Sequence, residues 1–317
     1  MPDTITYAEQ AADVLAAVAS AIAAKTPFAL ITSIGISGGS ARPLGSLAMV
    51  GADGRMVGYL SNGCIDRDIQ LRGQMAIETG RREVLHYGQG SPYLDLKLPC
   101  GGALKVLVDP MPDHSALLDA HTALQSRQIA ELDFTIPNAE PIRFAYRPKF
   151  RLVLAGRGAA FRATAAVAHA AGFEVNVMSP EQDDLDALQA LSARPTRHLT
   201  TPDQAPGLTD LDENAAFLTL FHDHDWEPYL LKEALKTPAI FVGCLGSQAA
   251  QDQRKAILAS MGVSDDALSR IHGPIGLVGA LRDAQLIAIS AMAQITAVVP
   301  AHVIRVTDTA RVRAATP

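Results

Sequence analysis

The sequence lacks most of the features that mark secreted, membrane-spanning or zinc-stabilised proteins. Its 317 residues include three cysteines and no Cys-x-x-Cys pair, so neither a disulfide framework nor a structural zinc site is expected. The apolar stretches Ala11–Ala24 and Ala284–Val299 are shorter than the roughly 20 residues that span a bilayer. The N-terminus has neither the basic nor the apolar region of a secretory signal. These absences predict a soluble, cytoplasmic protein that does not contact membranes.

Charge is also scarce. Only 19% of the residues are charged, and the formal net charge is -6 at pH 7. A broad nucleic-acid-binding face is therefore not expected. The hydrophobic content of 48% is enough to build a full core, and the length suits about two domains.

The first domain is expected over residues 1–137. Phe28–Ile36 has the pattern of a buried strand, and "SLAMVGADGRMVGYLSNG" predicts a hairpin because Ala-Asp-Gly is turn chemistry between apolar runs. Cys64–Glu78 has the spacing of a helix. The pattern favours a mixed α/β unit with antiparallel pairing. Residues 138–150 are rich in proline and are interpreted as a linker.

The second domain is expected over residues 151–317. "RLVLAG" is a continuous apolar strand, "RGAAFRATAAVAHAAG" has helical spacing, and "FEVNVMS" is a second strand. Such a βαβ unit needs parallel strands that are covered on both faces. The fold class predicted here is a Rossmann-like, doubly wound parallel sheet, with Leu152–Ala155 and Ile240–Leu245 as parallel strands of one sheet.

Three turns follow predicted strands of this second domain. Because the carboxyl ends of parallel strands share one edge, ligand-binding residues are expected there. They are Gly156, Gly158, His222, His224, Gly246 and Ser247. The glycine turn suits either a phosphate-bearing ligand or a purely structural role. The two histidines suit ligand contact, metal binding, or a loop beside a helix cap.

The dinucleotide fingerprint at the first of these turns is incomplete. Phe161 stands at its third glycine, and Ser179 stands where an acidic residue would hold a ribose. Hydride transfer with NAD or NADP is therefore not expected. A nucleotide-binding regulatory module and a Rossmann-type oxidoreductase remain alternatives.

The first domain contains three further candidates for ligand binding. Ser40 and Arg42 follow two glycines, a combination that suits a phosphate or another oxyanion. "SNGC" places Asn62 and Cys64 at the start of the predicted helix, where the helix dipole stabilises a thiolate, although a small packing residue is the alternative. Cys100 precedes Gly101 and Gly102, which allow a ligand to approach the backbone closely. A functional role is favoured for this thiol.

Seven motifs occur in the order found in one family: "SARPLG", "SNGCID", "LPCGG", "LVLAGRGAA", "FHDHD", "VGCLGS" and "RIHGPIGL". On these motifs the chain resembles the xanthine dehydrogenase accessory proteins, the XdhC/CoxI family. The resemblance implies an accessory protein, more likely a chaperone than an enzyme. Its cargo would be the molybdenum cofactor (molybdopterin), protected during sulfuration and delivered to a xanthine dehydrogenase-type apo-enzyme, a molybdenum hydroxylase. A cysteine desulfurase partner and a homodimer are implied as well.

The resemblance also assigns residues. Cys100 matches the family's Cys-Gly-Gly cysteine, Cys64 matches the cysteine of its helix start, and Asp66 stands where the family usually has glutamate. The resemblance therefore makes all three candidate cofactor-binding residues. A thiolate suits a soft metal–dithiolene centre, so Cys100 is the candidate ligand of the cofactor's molybdenum. No catalytic residue is predicted.

Overall fold

A computed structural model describes residues 5–89, 101–203, 206–221 and 225–306. The chain divides into two compact units, one formed by Met1–Pro148 with Ala301–Pro317 and the other by Lys149–Pro300. Across the described ranges, no helix combines the length and the apolar character that a membrane span requires.

The first unit is built on a six-stranded sheet. Its strands are β1 (Ile5–Thr6), β2 (Phe28–Ser37), β3 (Leu47–Gly51), β4 (Met56–Gly58), β5 (Glu83–Gly88) and β6 (Ala103–Asp109), in the order β1-β4-β3-β2-β6-β5. Its helices are α1 (Ala11–Ala23), α2 (Asp66–Thr79) and α3 (His114–Gln125). All pairs are antiparallel except β1 with β4. The predicted hairpin is β3–β4.

The central strand β2 is buried on both faces. Leu30 belongs to a core that includes residues of α1 and α3, whereas Ile31 belongs to a second core that includes residues of α2. Successive side chains of a strand point to opposite faces, so each face of this sheet has its own helical cover. This accounts for the continuous apolar run in the sequence.

Two antiparallel strands, β7 (Ala130–Phe134) and β8 (Ile142–Tyr146), follow α3. Residues 138–150 are predicted to form a linker, but they contain β8, whose Phe144 and Tyr146 pack in the core of the first unit. The difference arises because the prolines around "IRFAY" conceal a short alternating strand. A strand of five residues is too short to show the alternation of apolar and polar residues by which a strand is predicted.

The second unit is a parallel sheet, as predicted. Its strands are β9 (Arg151–Gly156), β10 (Glu174–Ser179), β11 (Arg197–His198), β12 (Ala215–Leu220), β13 (Phe241–Cys244) and β14 (Ile271–His272), in the order β11-β10-β9-β12-β13-β14. Every pair is parallel. The predicted strands at Leu152–Ala155 and Ile240–Leu245 are therefore confirmed as parallel members of one sheet.

Helices cover both faces of this sheet. They are α4 (Gly158–Ala170), α5 (Gln182–Leu188), α6 (Glu227–Ala234), α7 (Gln248–Ser260), α8 (Asp265–Ser269) and α9 (Ala284–Thr296). Val153 and Leu154 of β9 belong to two different apolar cores, one on each face. The element order and the sheet order together define the doubly wound Rossmann-like class.

The chain then returns to the first unit. β15 (Val303–Arg305) pairs antiparallel with β8, giving a three-stranded sheet in the order β15-β8-β7. Residues 151–317 are predicted to form the second domain, whereas β15 belongs to the first unit. The physical reason for the difference is that pairing between segments more than 150 residues apart leaves no local pattern in the sequence.

Candidate functional site

Two glycine loops meet at one end of the sheet of the first unit. Ser37, the last residue of β2, pairs with Ala103, the first residue of β6. A Cβ atom on Gly102 would lie 2.2 Å from the Gly39 carbonyl oxygen, and one on Gly88 would lie 2.1 Å from the Gly102 carbonyl oxygen. The three backbones are packed so closely that no side chain fits between them. This contact explains why glycine stands at each of these positions.

Gly101 differs from Gly102. Its φ is +68°, and nothing lies within 4 Å of the place a Cβ atom would take. The left-handed backbone favours glycine here, while the space beside it is open. Cys100, His222 and His224 lie outside the described residues, so the structure locates the two glycines after Cys100 but not the thiol itself.

A second loop carries Cys64, and the buried carboxylate of Asp66 holds that loop together. The carboxylate accepts hydrogen bonds from the backbone N–H groups of Leu60 at 2.8 Å, Ser61 at 3.1 Å and Gly63 at 2.6 Å. It also accepts one from the Ser61 hydroxyl at 2.9 Å. The Asp66 oxygen atoms therefore face the backbone of their own loop, and this carboxylate positions Cys64.

Cys64 itself is exposed. The helix α2 begins at Asp66 with Ile65 as its N-cap, so the thiol precedes the first turn instead of lying within it. Asn62 and Gly63 are both left-handed, with φ values of 56° and 103°. These two residues fold the loop back tightly and leave the Cys64 side chain at the surface.

Arg42 lies beside the same loop. Its guanidinium carbon is 4.7 Å from the centre of the Tyr59 ring, and its terminal nitrogens contact the side chain and carbonyl of Glu9. Burial lowers the pKa of Arg42, while Tyr59 and Asp66 act in the opposite direction. The Ser40 hydroxyl donates to the Arg42 carbonyl at 2.8 Å, which closes a turn. Ser40 and Arg42 thus brace the loop.

A hydrogen bond between Tyr87 and Asp68 links the cysteine loop to the glycine loops. The Tyr87 hydroxyl donates to the Asp68 carboxylate, in the first turn of α2, at 2.7 Å. Gly88 follows Tyr87 directly and packs on Gly102. The start of α2 and the glycine contact therefore lie at one end of the sheet, which makes this end the candidate site of the first unit.

In the second unit, the glycine turn after β9 is already occupied by a side chain of the protein. The Gly158 N–H donates to the buried carboxylate of Asp184 at 2.7 Å, and Arg162 Nε donates to it at 2.5 Å. A Cβ atom on Gly156 would lie 2.7 Å from the Leu220 carbonyl oxygen, so this glycine serves close strand packing. The N-terminal donor that usually meets a phosphate is satisfied internally.

The ribose-binding position is also different from that of a dinucleotide-binding domain. β10 ends at Ser179, which is fully buried and whose hydroxyl accepts a hydrogen bond from the Glu181 N–H at 3.1 Å. Glu181 is exposed and forms an ion pair with Arg157 at 3.3 Å. The Glu181 carboxylate, two residues after Ser179, thus pairs with an arginine of the glycine turn.

The turn after β13 is held by a buried ion pair. Arg254 contacts Glu227 at 2.9 Å and donates to the Leu245 carbonyl at 2.9 Å, and both charged side chains are almost fully buried. The Ser247 hydroxyl accepts from the Ala250 N–H at 3.2 Å and caps α7. Gly246, with a φ of +144°, packs on Ala250. The protein's own contacts therefore hold this turn in place.

Sequence reasoning missed Asp184, Glu227 and Arg254. The acidic run "EQDDLD" is a weak signal for Asp184, but nothing local indicates a pair of charges 27 positions apart. Cys244 lies beside this pair, and burial raises the pKa of its thiol to about 12. Among the described residues, no group of three His, Cys, Asp or Glu side chains could hold a metal ion.

The fold and the two sites define a class: a mixed α/β domain that presents a cysteine, followed by a Rossmann-like domain. Family models agree with this division. The XdhC and CoxI family matches residues 21–88, and the XdhC Rossmann domain matches residues 152–295. Together the two matches cover well over half of the chain, and the chain belongs to the XdhC and CoxI family.

Similar proteins extend the comparison. The chain is 28% identical, over 85% of its length and 82% of the relative's, to the molybdenum cofactor insertion chaperone PaoD of Escherichia coli. It is 23% identical to the uncharacterized protein YqeB of the same organism, of which it spans 43%. A crystal structure described as a xanthine dehydrogenase from Bacillus halodurans superposes with a TM-score of 0.72 at 19% identity, covering 90% of this chain and 95% of the other. That structure supports the fold.

Proposed function

We propose that this protein is a chaperone that binds the molybdenum cofactor and inserts it into a target enzyme. The observation that carries the proposal is the end of the first sheet, where exposed Cys64 stands on a loop fixed by Asp66, beside the glycine contact that follows Cys100. The name of the PaoD relative supports the cargo. An accessory role, rather than an enzymatic one, agrees with that name.

The residues present suit such a cargo. When bound, the cofactor supplies a soft metal–dithiolene centre, and a cysteine thiolate is a suitable ligand for it. Cys64 is exposed enough to meet the cargo, and the open space beside Gly101 allows close approach to the backbone. The Asp66 network keeps the Cys64 loop in one conformation, so little conformational entropy is lost on binding. Cys100 is the candidate ligand of the molybdenum itself, as the family's Cys-Gly-Gly motif implies.

We infer that the finer steps follow those implied by the resemblance. The cofactor is held while a cysteine desulfurase installs the terminal sulfur, and it is then transferred to a xanthine dehydrogenase-type molybdenum hydroxylase. A cargo held by an exposed thiol at a sheet end is accessible to both partners. The protein acts as a cytoplasmic homodimer in this proposal, and the exposed apolar side chains of α9 are its candidate contact.

The second unit does not use NAD or NADP in this proposal. The Asp184 carboxylate accepts the hydrogen bond from the Gly158 N–H, the donor that a bound pyrophosphate would need. Ser179 lacks the carboxylate that holds a ribose diol. A nucleotide-binding module and an oxidoreductase are both disfavoured on these grounds. Gly156, Gly158, Gly246 and Ser247 then act in the architecture of the sheet edge.

The test is to purify the protein from cells that make molybdopterin and to measure bound molybdopterin and molybdenum per protomer. Cys100→Ala and Cys64→Ala are expected to lose most of the bound cofactor. Cys244→Ser is the matched control, because that thiol is buried in the second unit. Wild-type protein that carries no cofactor, and that does not raise the activity of a molybdenum hydroxylase apo-enzyme supplied with molybdopterin, would refute the proposal.

A further inference from the structure

Helix α2 of the first unit leaves two large apolar side chains in water. Leu71 is 59% exposed and Met75 is 53% exposed. They lie one turn apart on α2, and side chains at this spacing are neighbours on the helix surface. A single exposed apolar side chain is common on a protein surface, whereas adjoining ones often mark a surface that another molecule covers. Leu71 and Met75 together are called the α2 patch.

The α2 patch lies close to the exposed thiol of Cys64. Arg67 is exposed one turn before Leu71, on the same side of the helix. Cys64 precedes Arg67 by three residues and is exposed immediately before the helix begins at Asp66. At the usual rise per residue, Leu71 lies about 8 Å along the helix axis from Asp66. A molecule that covers the α2 patch therefore lies next to the Cys64 loop.

The backbone that carries the α2 patch is fixed on the sheet. A Cβ atom on Gly73 would lie 2.8 Å from the Val50 side chain, so the helix lies directly against β3. Ile69 and Ala76 pack in the core beneath the helix. A partner that docks on this helix does not have to order its backbone first, so it loses less conformational entropy on binding.

Arg67 adds a positive charge beside the α2 patch. The neighbouring carboxylate of Asp68 contacts Arg72 at 3.8 Å and accepts from the Tyr87 hydroxyl at 2.7 Å. Within the described residues, Arg67 itself forms no ion pair. Methionine and arginine are both enriched at protein–protein interfaces. The composition of this helix face thus fits a protein partner that offers a carboxylate next to an apolar groove.

We propose that Arg67, Leu71 and Met75 form the docking surface for the enzyme that receives the cofactor. This inference rests on the function proposed above, because insertion requires the target enzyme to approach the loop that holds the cargo. The target enzyme places an apolar groove over the α2 patch and a carboxylate against Arg67, as in other complexes that seat a helix face in a groove. A second copy of the chain on this face would cover the Cys64 loop and close the route by which the cargo leaves.

The first experiment uses the double variant Leu71→Ser with Met75→Ser. Wild type and variant are purified from cells that make molybdopterin, and their cofactor content is measured. Each is then titrated into xanthine dehydrogenase apo-enzyme. We expect equal cofactor content, and at least about a tenfold higher concentration of the variant for half-maximal activation, because two anchoring side chains are lost. The variant should fold, since exposed positions tolerate substitution.

The matched control is the double variant Met111→Ser with Leu118→Ser. It removes the same two types of side chain from the same unit, at positions that are 65% and 36% exposed. Leu118 lies on α3, which covers the opposite face of the sheet from α2. The control should activate the apo-enzyme as the wild type does. An equal loss in both double variants would show a general effect of exposed apolar surface and would overturn the proposal.

The second experiment tests the charge. Arg67→Glu should activate the apo-enzyme less well than Arg67→Gln, because a reversed charge repels the carboxylate assigned to the partner. Activation by the wild type should weaken as the salt concentration rises, and Arg67→Gln should show less of this dependence. Arg67→Glu that activates as well as the wild type would contradict the acidic group of the partner.

The third experiment separates this proposal from the function on which it rests. Binding of the apo-enzyme to the immobilised wild type and double variant is measured without cofactor. Binding that the Leu71 and Met75 substitutions abolish, by a protein that carries no cofactor, would contradict the proposed function and leave the docking surface standing. Normal transfer by the double variant would contradict the docking surface and leave the function standing.

Three other results for the Leu71 and Met75 double variant would assign the α2 patch a different occupant and overturn the proposal. A loss of cofactor content would show a contact with the cargo. A change from dimer to monomer in light scattering would show a contact between copies. A defect confined to the sulfur content of the bound cofactor would show a contact with the sulfur donor.

Discussion

The carboxylate of Asp184 accepts a hydrogen bond from the Gly158 N–H at 2.7 Å, at the turn where a Rossmann domain binds a pyrophosphate. Arg162 Nε shares the same carboxylate. The helix N-terminus favours negative charge, and here an acidic side chain of α5 provides it. The second unit thus retains the architecture of a dinucleotide-binding domain while its own residue fills the anion position.

We therefore expect Asp184→Ala to destabilise the second unit by about 1–3 kcal/mol, because the Gly158 N–H and the Arg162 side chain lose the buried carboxylate that accepts from both. The chain has one tryptophan, Trp226, which lies in this unit, so its fluorescence during urea unfolding reports the change. Asp183→Ala is the control, since Asp183 is exposed on the same helix. Tight NADH binding to the wild-type protein by calorimetry would contradict this view of the turn.

A second prediction concerns the loop of Cys64. Asp66→Ala removes the acceptor of three backbone N–H groups and one hydroxyl, and we expect a loss of roughly 3 kcal/mol in the stability of the first unit. Hydrogen exchange of residues 60–65 should accelerate, and cofactor retention should fall with it. Asp53→Ala, at the exposed β3–β4 turn, should change neither. Unaltered exchange in residues 60–65 of Asp66→Ala would show that other contacts hold the loop.

Most of the second unit could be predicted from the sequence. Its central parallel strands are covered on both faces of the sheet and therefore appear in the sequence as continuous apolar runs. It did not allow the same for β15, whose partner β8 is distant in the chain. At the candidate site, the sequence indicated which residues take part but not which atoms they contact. Asp66 was identified as a ligand contact from its place in a motif, whereas its oxygens face backbone N–H groups that carry no sequence signal.

A third prediction separates the two described cysteines by reactivity. Cys64 is exposed, whereas Cys244 is fully buried and its pKa is raised to about 12. Since the thiolate is the reactive form, brief treatment of the native protein with iodoacetamide at a pH of about 8 should label Cys64 and spare Cys244. Peptide mass spectrometry reads both sites, and labelling in urea provides the reference for full reaction. Equal labelling in the native protein would contradict the buried position of Cys244.

A fourth prediction concerns the proposed homodimer. Leu286 and Ile289 lie one turn apart on α9, and they are 51% and 54% exposed in a single protomer. If this face is the contact between copies, the double variant Leu286→Ser with Ile289→Ser should shift the protein from dimer to monomer in light scattering. The reason is that the free energy gained by burying two apolar side chains at the interface is lost. Leu71→Ser, at an exposed apolar position of α2 in the first unit, is the control. A wild-type protein that is a monomer at micromolar concentration would exclude the dimer.

The last prediction follows from the pKa of His302, which burial and then the charge of Arg42 lower below the ordinary value of 6.5. The folded protein binds this proton less tightly than the unfolded chain does. The stabilising contribution is therefore fully present above a pH of about 6.5 and is lost as the pH falls through that value towards the folded pKa. His302→Gln should lose less stability than the wild type between pH values of about 7.5 and 5.5, measured by hydrogen exchange of the β8 and β15 amides. Arg143→Gln should follow the wild type. An identical pH dependence of His302→Gln and wild type would show that the histidine does not couple to folding.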